Sequence, residues 1–219
     1  MNRYKAVVFD WDGTVMDSTH AIVASIQGAC ADLGLPVPDA RQASWVIGLS
    51  LESALYHAVP TLTADLFQDF QDCYRNHYLS QDGQLPLFDG MAELLDTLGN
   101  QGILLGVATG KSRLGLDRVL TQRNMHGRFD VTRCADESFS KPHPAMLLEI
   151  MDTLCLAPGE VLMVGDTSHD MQMARNAGVD GLAVTYGAHD LEALKAGEPL
   201  AVVDSVAQMN DWLSGRIVI

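Results

Sequence analysis

The chain is short of positive charge. Only 14 of its 219 residues are Lys or Arg against 28 Asp and Glu, a net charge of −14, and no basic block occurs anywhere. Such a balance repels the phosphates of nucleic acids and anionic membrane surfaces, so neither is expected as a partner. Cysteine is equally sparse. Cys30, Cys73, Cys134 and Cys155 stand far apart with no C-x-x-C spacing, which argues against zinc and against a disulfide framework and reads as reduced, mostly packed thiols. No apolar run approaches the ~20 residues that span a bilayer. The amino-terminal MNRYKAVVFD lacks the apolar segment and small-residue cleavage site of a signal peptide, so a cytoplasmic, soluble protein is expected. Lysine is missing altogether between Lys5 and Lys111.

What is present suffices for a full core: 47% of the residues are hydrophobic, enough for one sizeable domain or a domain with an insertion. The most informative stretch is Tyr4 to Thr14, YKAVVFDWDGT. Ala6 to Phe9 are apolar without alternation, the pattern of a strand covered on both faces. The run delivers Asp10 and Asp12 into a Gly13 turn. Two carboxylates so close repel, and both stay ionised only if a cation or donated hydrogen bonds offset the repulsion. Magnesium suits such an all-oxygen site. The ordinary alternative is a pair of turn-forming Asp residues. A calcium loop fits worse, because its third acidic position and closing Glu are missing.

Helical periodicity follows without a strand. Ile22, Ile26, Ala29, Cys30 and Leu33 mark one helix; Asp39 to Ile47 and Leu51 to Val59 are shorter ones; Leu66, Phe67, Phe70, Cys73, Tyr74, His77 and Tyr78 mark a fourth. Residues 17–83 therefore read as an all-helical unit that ends in a hinge at Gln81-Asp82-Gly83 and Pro86. From Leu87 onward strands alternate with helices, which implies an α/β fold with a parallel, doubly wound sheet. The expected division is a core domain of residues 1–16 and 84–219 with an inserted helical domain of residues 17–83.

Ligands of such sheets bind beyond the carboxyl ends of the strands. There the first strand offers Asp10 and Asp12, ILLGVA leads to Thr109-Gly110-Lys111, VLMV leads to Gly165-Asp166 with Asp170 close behind, and the loop after Cys134 offers Lys141. Taken singly, Thr109 and Asp166 read as helix caps, Asp170 as a first-turn acid and Lys141 as a surface cation. Together at successive strand ends they read as a crevice for a phosphate and a metal.

These residues match a family. FDWDGT, ATG, KPHP and VGDTSHD resemble, in order, the four motifs of the haloacid dehalogenase superfamily of phosphohydrolases, and the insertion resembles its small helical cap. WVIGLSLESAL resembles the specificity segment of phosphoglycolate-phosphatase-like members. The resemblance implies a Rossmann-like core and a phosphatase acting on a small phosphomonoester, 2-phosphoglycolate-like or a sugar phosphate, as monomer or homodimer. It implies that Asp10 attacks phosphorus to give an aspartyl-phosphate and that Asp12 serves as acid and then base. Thr109 and Gly110 would hold phosphate oxygens, and Lys141 would tie nucleophile to phosphate. Asp10, the Asp12 carbonyl and Asp166 would ligate Mg2+, with Asp170 behind them. Arg41, Trp45, Gly48, Leu49 and Ser50 would bear on substrate choice.

Within the family, dehalogenases differ at the second acidic position, which here is Asp12, and phosphonoacetaldehyde hydrolases need a cap lysine that the chain lacks. A β-phosphoglucomutase-like phosphotransferase, the alternative, would carry a hinge His where this chain has Ile22; His20 is two residues out of register. A non-catalytic phosphate-ligand module is a second alternative. The inserted unit holds only Arg41 and Arg75 against eight acids, so a substrate carboxylate would have to be met by Arg41 or by core residues such as Lys111 and Arg113. VATGKS also resembles a nucleotide-binding P-loop, but the glycine that pattern needs is Leu105. Turnover lost in Asp10→Asn and kept in Lys111→Ala is the expected discriminator.

Overall fold

The computed structural model describes residues 4–217. Strand β1 (Ala6–Phe9) is followed by helices α1 (Thr19–Asp32), α2 (Ala40–Trp45), α3 (Leu51–Ala58) and α4 (Ala64–Asp82) before the alternation begins. It runs α5 (Met91–Asn100), β2 (Leu104–Thr109), α6 (Arg113–Gln122), β3 (Val131–Cys134), α7 (Ala145–Leu154), β4 (Val161–Gly165), α8 (Ser168–Ala177), β5 (Asp180–Val184), α9 (Leu191–Ala196), β6 (Ala201–Val203) and α10 (Val206–Ser214). All strand pairs are parallel, in the order β3-β2-β1-β4-β5-β6. The expected doubly wound α/β sheet is therefore the one observed.

Alternation along β1 explains its uninterrupted apolar run. Val7 and Phe9 pack with Leu94, Leu95, Leu98 and Met209 of α5 and α10, while Ala6 and Val8 pack with Met146, Ile150 and Met173 of α7 and α8. Both faces are thus covered, as buried parallel strands require. The chain winds outward from β1 to β2 and β3, then returns to β4 on the other side, so a crevice opens at the ends of the central strands. Phe9 is in register with Val107 and with Val164. Continued one residue, that register sets Asp10 level with the positions just before Thr109 and Asp166.

Local chemistry fixes the ends of α8. Thr167 and Asp170 form a reciprocal capping box at its start, and Gly178 closes it at φ 71°, the left-handed region favoured at that position. Short 3₁₀ turns at His126–Arg128 and Pro158–Glu160 were not legible, since three residues carry no periodicity. His77, counted with the apolar stripe of α4, instead pairs with Asp32 at 2.8 Å. Of the cysteines, Cys30 and Cys134 are buried, Cys73 is half-buried and Cys155 is exposed; all four are free thiols. Among the described residues no helix is long and apolar enough to cross a membrane.

The chain crosses between the sheet and α1–α4 twice, and the two crossings are tied together. Asp17 N–H donates to the Pro86 carbonyl at 3.0 Å and Phe88 N–H to that of Val15 at 3.2 Å.

Candidate active site

Asp10 and Asp12 face the crevice because Trp11 between them drops into the core, fully buried and edge-on to Phe129 at 6.0 Å. Gly13 then turns the chain at φ 82°, and a Cβ there would collide with the Asp166 carboxylate and with Thr19. Only glycine meets both demands.

Four charged side chains meet without exposure to solvent. The Lys141 ammonium lies 2.7 Å from Asp10 Oδ1 and 2.6 Å from Asp170 Oδ1. Carboxylate oxygens of Asp10, Asp166 and Asp170 all lie within 4.8 Å of one another. Each is braced from outside. Asp166 accepts from the Thr14 hydroxyl at 2.8 Å and the Ala188 N–H at 2.7 Å; Asp170 accepts from the Thr167 N–H at 3.1 Å and hydroxyl at 2.6 Å. Apart from that ammonium, neither oxygen of Asp10 nor Oδ1 of Asp170 has a donor, and all three are buried. Such a set of unsatisfied hard oxygens fits a divalent cation.

The electrostatics carry the same message. Burial first, then Asp170, raises Asp166 to about 7 in spite of its two donors. Burial likewise holds Asp10 well above the usual carboxylate range; Lys141 opposes this, and Asp170 and Asp166 add to it. For Lys141, burial works against the ammonium, but Asp10 and Asp170 outweigh it and raise the value. One lysine does not offset three carboxylates.

Asp12 turns away from this cluster. Its Oδ1 accepts from the Ser18 hydroxyl at 2.6 Å and lies 3.0 Å from the Lys111 ammonium, while Oδ2 takes no hydrogen bond among the described residues. Lys111 also donates to the Tyr78 hydroxyl of α4 at 3.0 Å. Burial opposes its charge, yet Asp12 and Tyr78 raise its value above that of an ordinary lysine. Lys111 is therefore part of the Asp12 environment, and the expected use of Lys111→Ala as an inert control is corrected here. Asp12 and Gly110 line a cleft of about 680 Å³ between the sheet and α1–α4.

Gly48, Leu49 and Ser50 border that cleft. A Cβ on Gly110 would lie 2.7 Å from the Gly48 carbonyl oxygen and closer still to that of Leu49, so the loop rests directly on the turn after β2. Ser50 N–H donates to the Ser140 hydroxyl at 2.8 Å, beside Lys141. Thr109 is fully buried and accepts from Lys111 N–H at 3.2 Å. Two expected specificity residues lie elsewhere. Arg41 is exposed and drawn to Asp190 at 3.3 Å, and both it and Trp45 line a separate cleft. The Trp45 carbonyl accepts from Nε2 of His169 and of His189, at 2.9 Å each, an anchoring contact that sequence reasoning missed. His20 also lines that second cleft and pairs with Asp17 at 3.7 Å. Arg113 is committed to Glu137 and Asp117.

The family model for haloacid dehalogenase-like hydrolases matches residues 7–184. The chain is a haloacid dehalogenase-like hydrolase. Its 210-residue match to the protein described as "Probable phosphatase IndB" of Dickeya dadantii is 37% identical and covers 93% of this chain and 90% of that one. A phosphoglycolate phosphatase of Pectobacterium atrosepticum is 30% identical over 95% of this hydrolase and 92% of its own length. The solved haloacid dehalogenase-like family protein SP0104 of Streptococcus pneumoniae superposes with a TM-score of 0.81 at 26% identity, covering 95% and 98% of the two chains. The family resemblance drawn from the four motifs is thus borne out, and the hydrolase stands among proteins named as phosphatases.

Proposed function

We propose that this hydrolase is a magnesium-dependent phosphatase that cleaves a small phosphomonoester through an aspartyl-phosphate on Asp10. The observation that carries the reading is the buried Lys141 ammonium shared by Asp10 and Asp170, with Asp166 alongside and Asp12 set apart at the mouth of a cleft. Asp10 forms a bond to phosphorus as the bond to the leaving oxygen breaks. Asp12, through its free Oδ2, gives a proton to that oxygen, then takes one from the water that attacks the phosphorus and releases Asp10. Thr109 and the Gly110 amide hold phosphate oxygens, and Lys141 keeps Asp10 oriented toward them.

Asp10, the Asp12 carbonyl and Asp166 would hold magnesium, with Asp170 behind, and the buried oxygens of Asp10 and Asp170 that meet no donor but Lys141 suit that role. When bound, the ion supplies charge neutralisation for a phosphate dianion among four carboxylates. In the same reading residues 17–83 are a cap over a core of residues 1–16 and 84–219, and the enzyme works in the cytoplasm on a free metabolite-sized ester.

The test is phosphate release from p-nitrophenyl phosphate with added magnesium. Asp10→Asn is expected to lose at least about a thousandfold in kcat, and acid quenching of the wild type during turnover to leave phosphate on Asp10. Turnover that survives in Asp10→Asn would sink the mechanism.

A further inference from the structure

The cleft beside Asp12 is far larger than a two-carbon leaving group needs. Its volume of about 680 Å³ compares with roughly 150 Å³ for glycolate, taking about 30 Å³ per non-hydrogen atom, a water's share of the liquid. The wall is largely apolar, with Ile22, Ile26, Val46 and Leu55 among its residues.

The cations of the wall are already engaged. Lys111 sits on Asp12 and Tyr78, each at 3.0 Å, and Arg118 on the buried Asp82 at 2.8 Å. Arg75, more than half exposed, lies 4.0 Å from Asp72. A carboxylate entering here would meet no uncommitted buried cation and would add to the negative charge of Glu52 and Asp136 on the same wall. What the wall does offer is Tyr74. Its ring is parallel to that of Tyr78 at 6.1 Å, and its hydroxyl makes no hydrogen bond among the described residues. Burial first, then Tyr78, holds that hydroxyl well above the ordinary phenol value, so it stays a neutral donor.

We propose that the leaving group is a neutral, ring-bearing polyol that lies against Tyr74 and takes a hydrogen bond from its hydroxyl, which sets sugar-type phosphates above carboxylate-bearing two-carbon esters. The inference rests on the phosphatase reading and narrows it. A ring fills the apolar volume that glycolate leaves empty, and its hydroxyls can take the hydrogen bond that the Tyr74 hydroxyl does not give within the protein.

The experiment measures kcat/KM of the full chain for glucose 6-phosphate, ribose 5-phosphate, 2-phosphoglycolate, phenyl phosphate and p-nitrophenyl phosphate, in the wild type, Tyr74→Phe and Arg75→Ala. At least one sugar phosphate is expected to exceed 2-phosphoglycolate by about tenfold or more. Tyr74→Phe keeps the ring, and is expected to lower the ratio of sugar phosphate to phenyl phosphate turnover about three- to tenfold, the worth of one neutral hydrogen bond. Preference for 2-phosphoglycolate, above all one lost in Arg75→Ala, overturns the inference and leaves the phosphatase reading standing; so does a Tyr74→Phe effect equal on every ester. No turnover of any ester, p-nitrophenyl phosphate included, overturns both.

Discussion

Replacing Lys141 by methionine keeps the unbranched stem and removes the one positive charge inside the Asp10–Asp166–Asp170 cluster. The ammonium is fully buried, 2.7 Å from one carboxylate and 2.6 Å from another, so its loss leaves uncompensated charge where water cannot reach. Breaking a buried pair of this kind costs about 3–5 kcal/mol. For a chain of this size that corresponds to a fall in Tm of roughly 6–20 °C, at about 2–4 °C per kcal/mol. The sign is independent of pH near neutrality, because Lys141 is raised above its ordinary value and its contribution is lost only in strong alkali. Urea denaturation in the presence of a chelator reads the effect without metal. Asp170→Asn in the Lys141→Met background removes one of the stranded charges, and the double variant should be more stable than the sum of the single losses by about 0.5–3 kcal/mol. A loss below about 1 kcal/mol in Lys141→Met, or strict additivity in the cycle, would refute the reasoning.

Asp166 is raised to about 7, and a proton there competes with a cation, so magnesium affinity measured by calorimetry should fall about tenfold for each pH unit below 7 and stay level above it. Gly110→Ala would drive a methyl group into the Gly48 and Leu49 carbonyls; steady-state kinetics should show KM rising with the protein still folded. Ser140→Ala removes the acceptor for Ser50 N–H and should raise KM about two- to tenfold with a smaller change in kcat. Burial lowers His169 and His189, so their contribution to stability is full above the unfolded value near 6.5 and is lost as the pH falls through their lower folded values. A His169→Gln/His189→Gln variant should therefore show a flatter stability profile between about pH 5 and 7 in denaturant titrations.

Much of this site was legible because its parts follow strands. An apolar run that fits only a strand covered on both faces ends at Asp10, and the same holds for Thr109 and Asp166, so the register of one parallel sheet brings the three within one residue of the same level. Lys141 came from a loop, and its burial between two carboxylates could be expected only through the family motif. The setting of Lys111 is not legible for a different reason. Its partners are Asp12, from another strand end, and Tyr78, from α4, and no local spacing encodes a contact between such distant segments. Arg41 and Trp45 fall beside the loop that borders the cleft, yet Asp190 draws off the first and His169 and His189 engage the carbonyl of the second. Position near a functional loop did not fix which way these two residues turned.

The paired crossings at Val15–Asp17 and Pro86–Phe88 have a consequence for what can be exchanged. The chain leaves the sheet for α1 to α4 and rejoins it at one narrow base, closed by the Asp17–Pro86 and Val15–Phe88 hydrogen bonds, and that base begins three residues after Asp12. A different helical roof could be grafted there without disturbing the strand order. It would, however, remove Tyr78 from Lys111 and Ser18 from Asp12, so a transplanted roof would bring new substrate contacts and alter the setting of the acid in the same exchange.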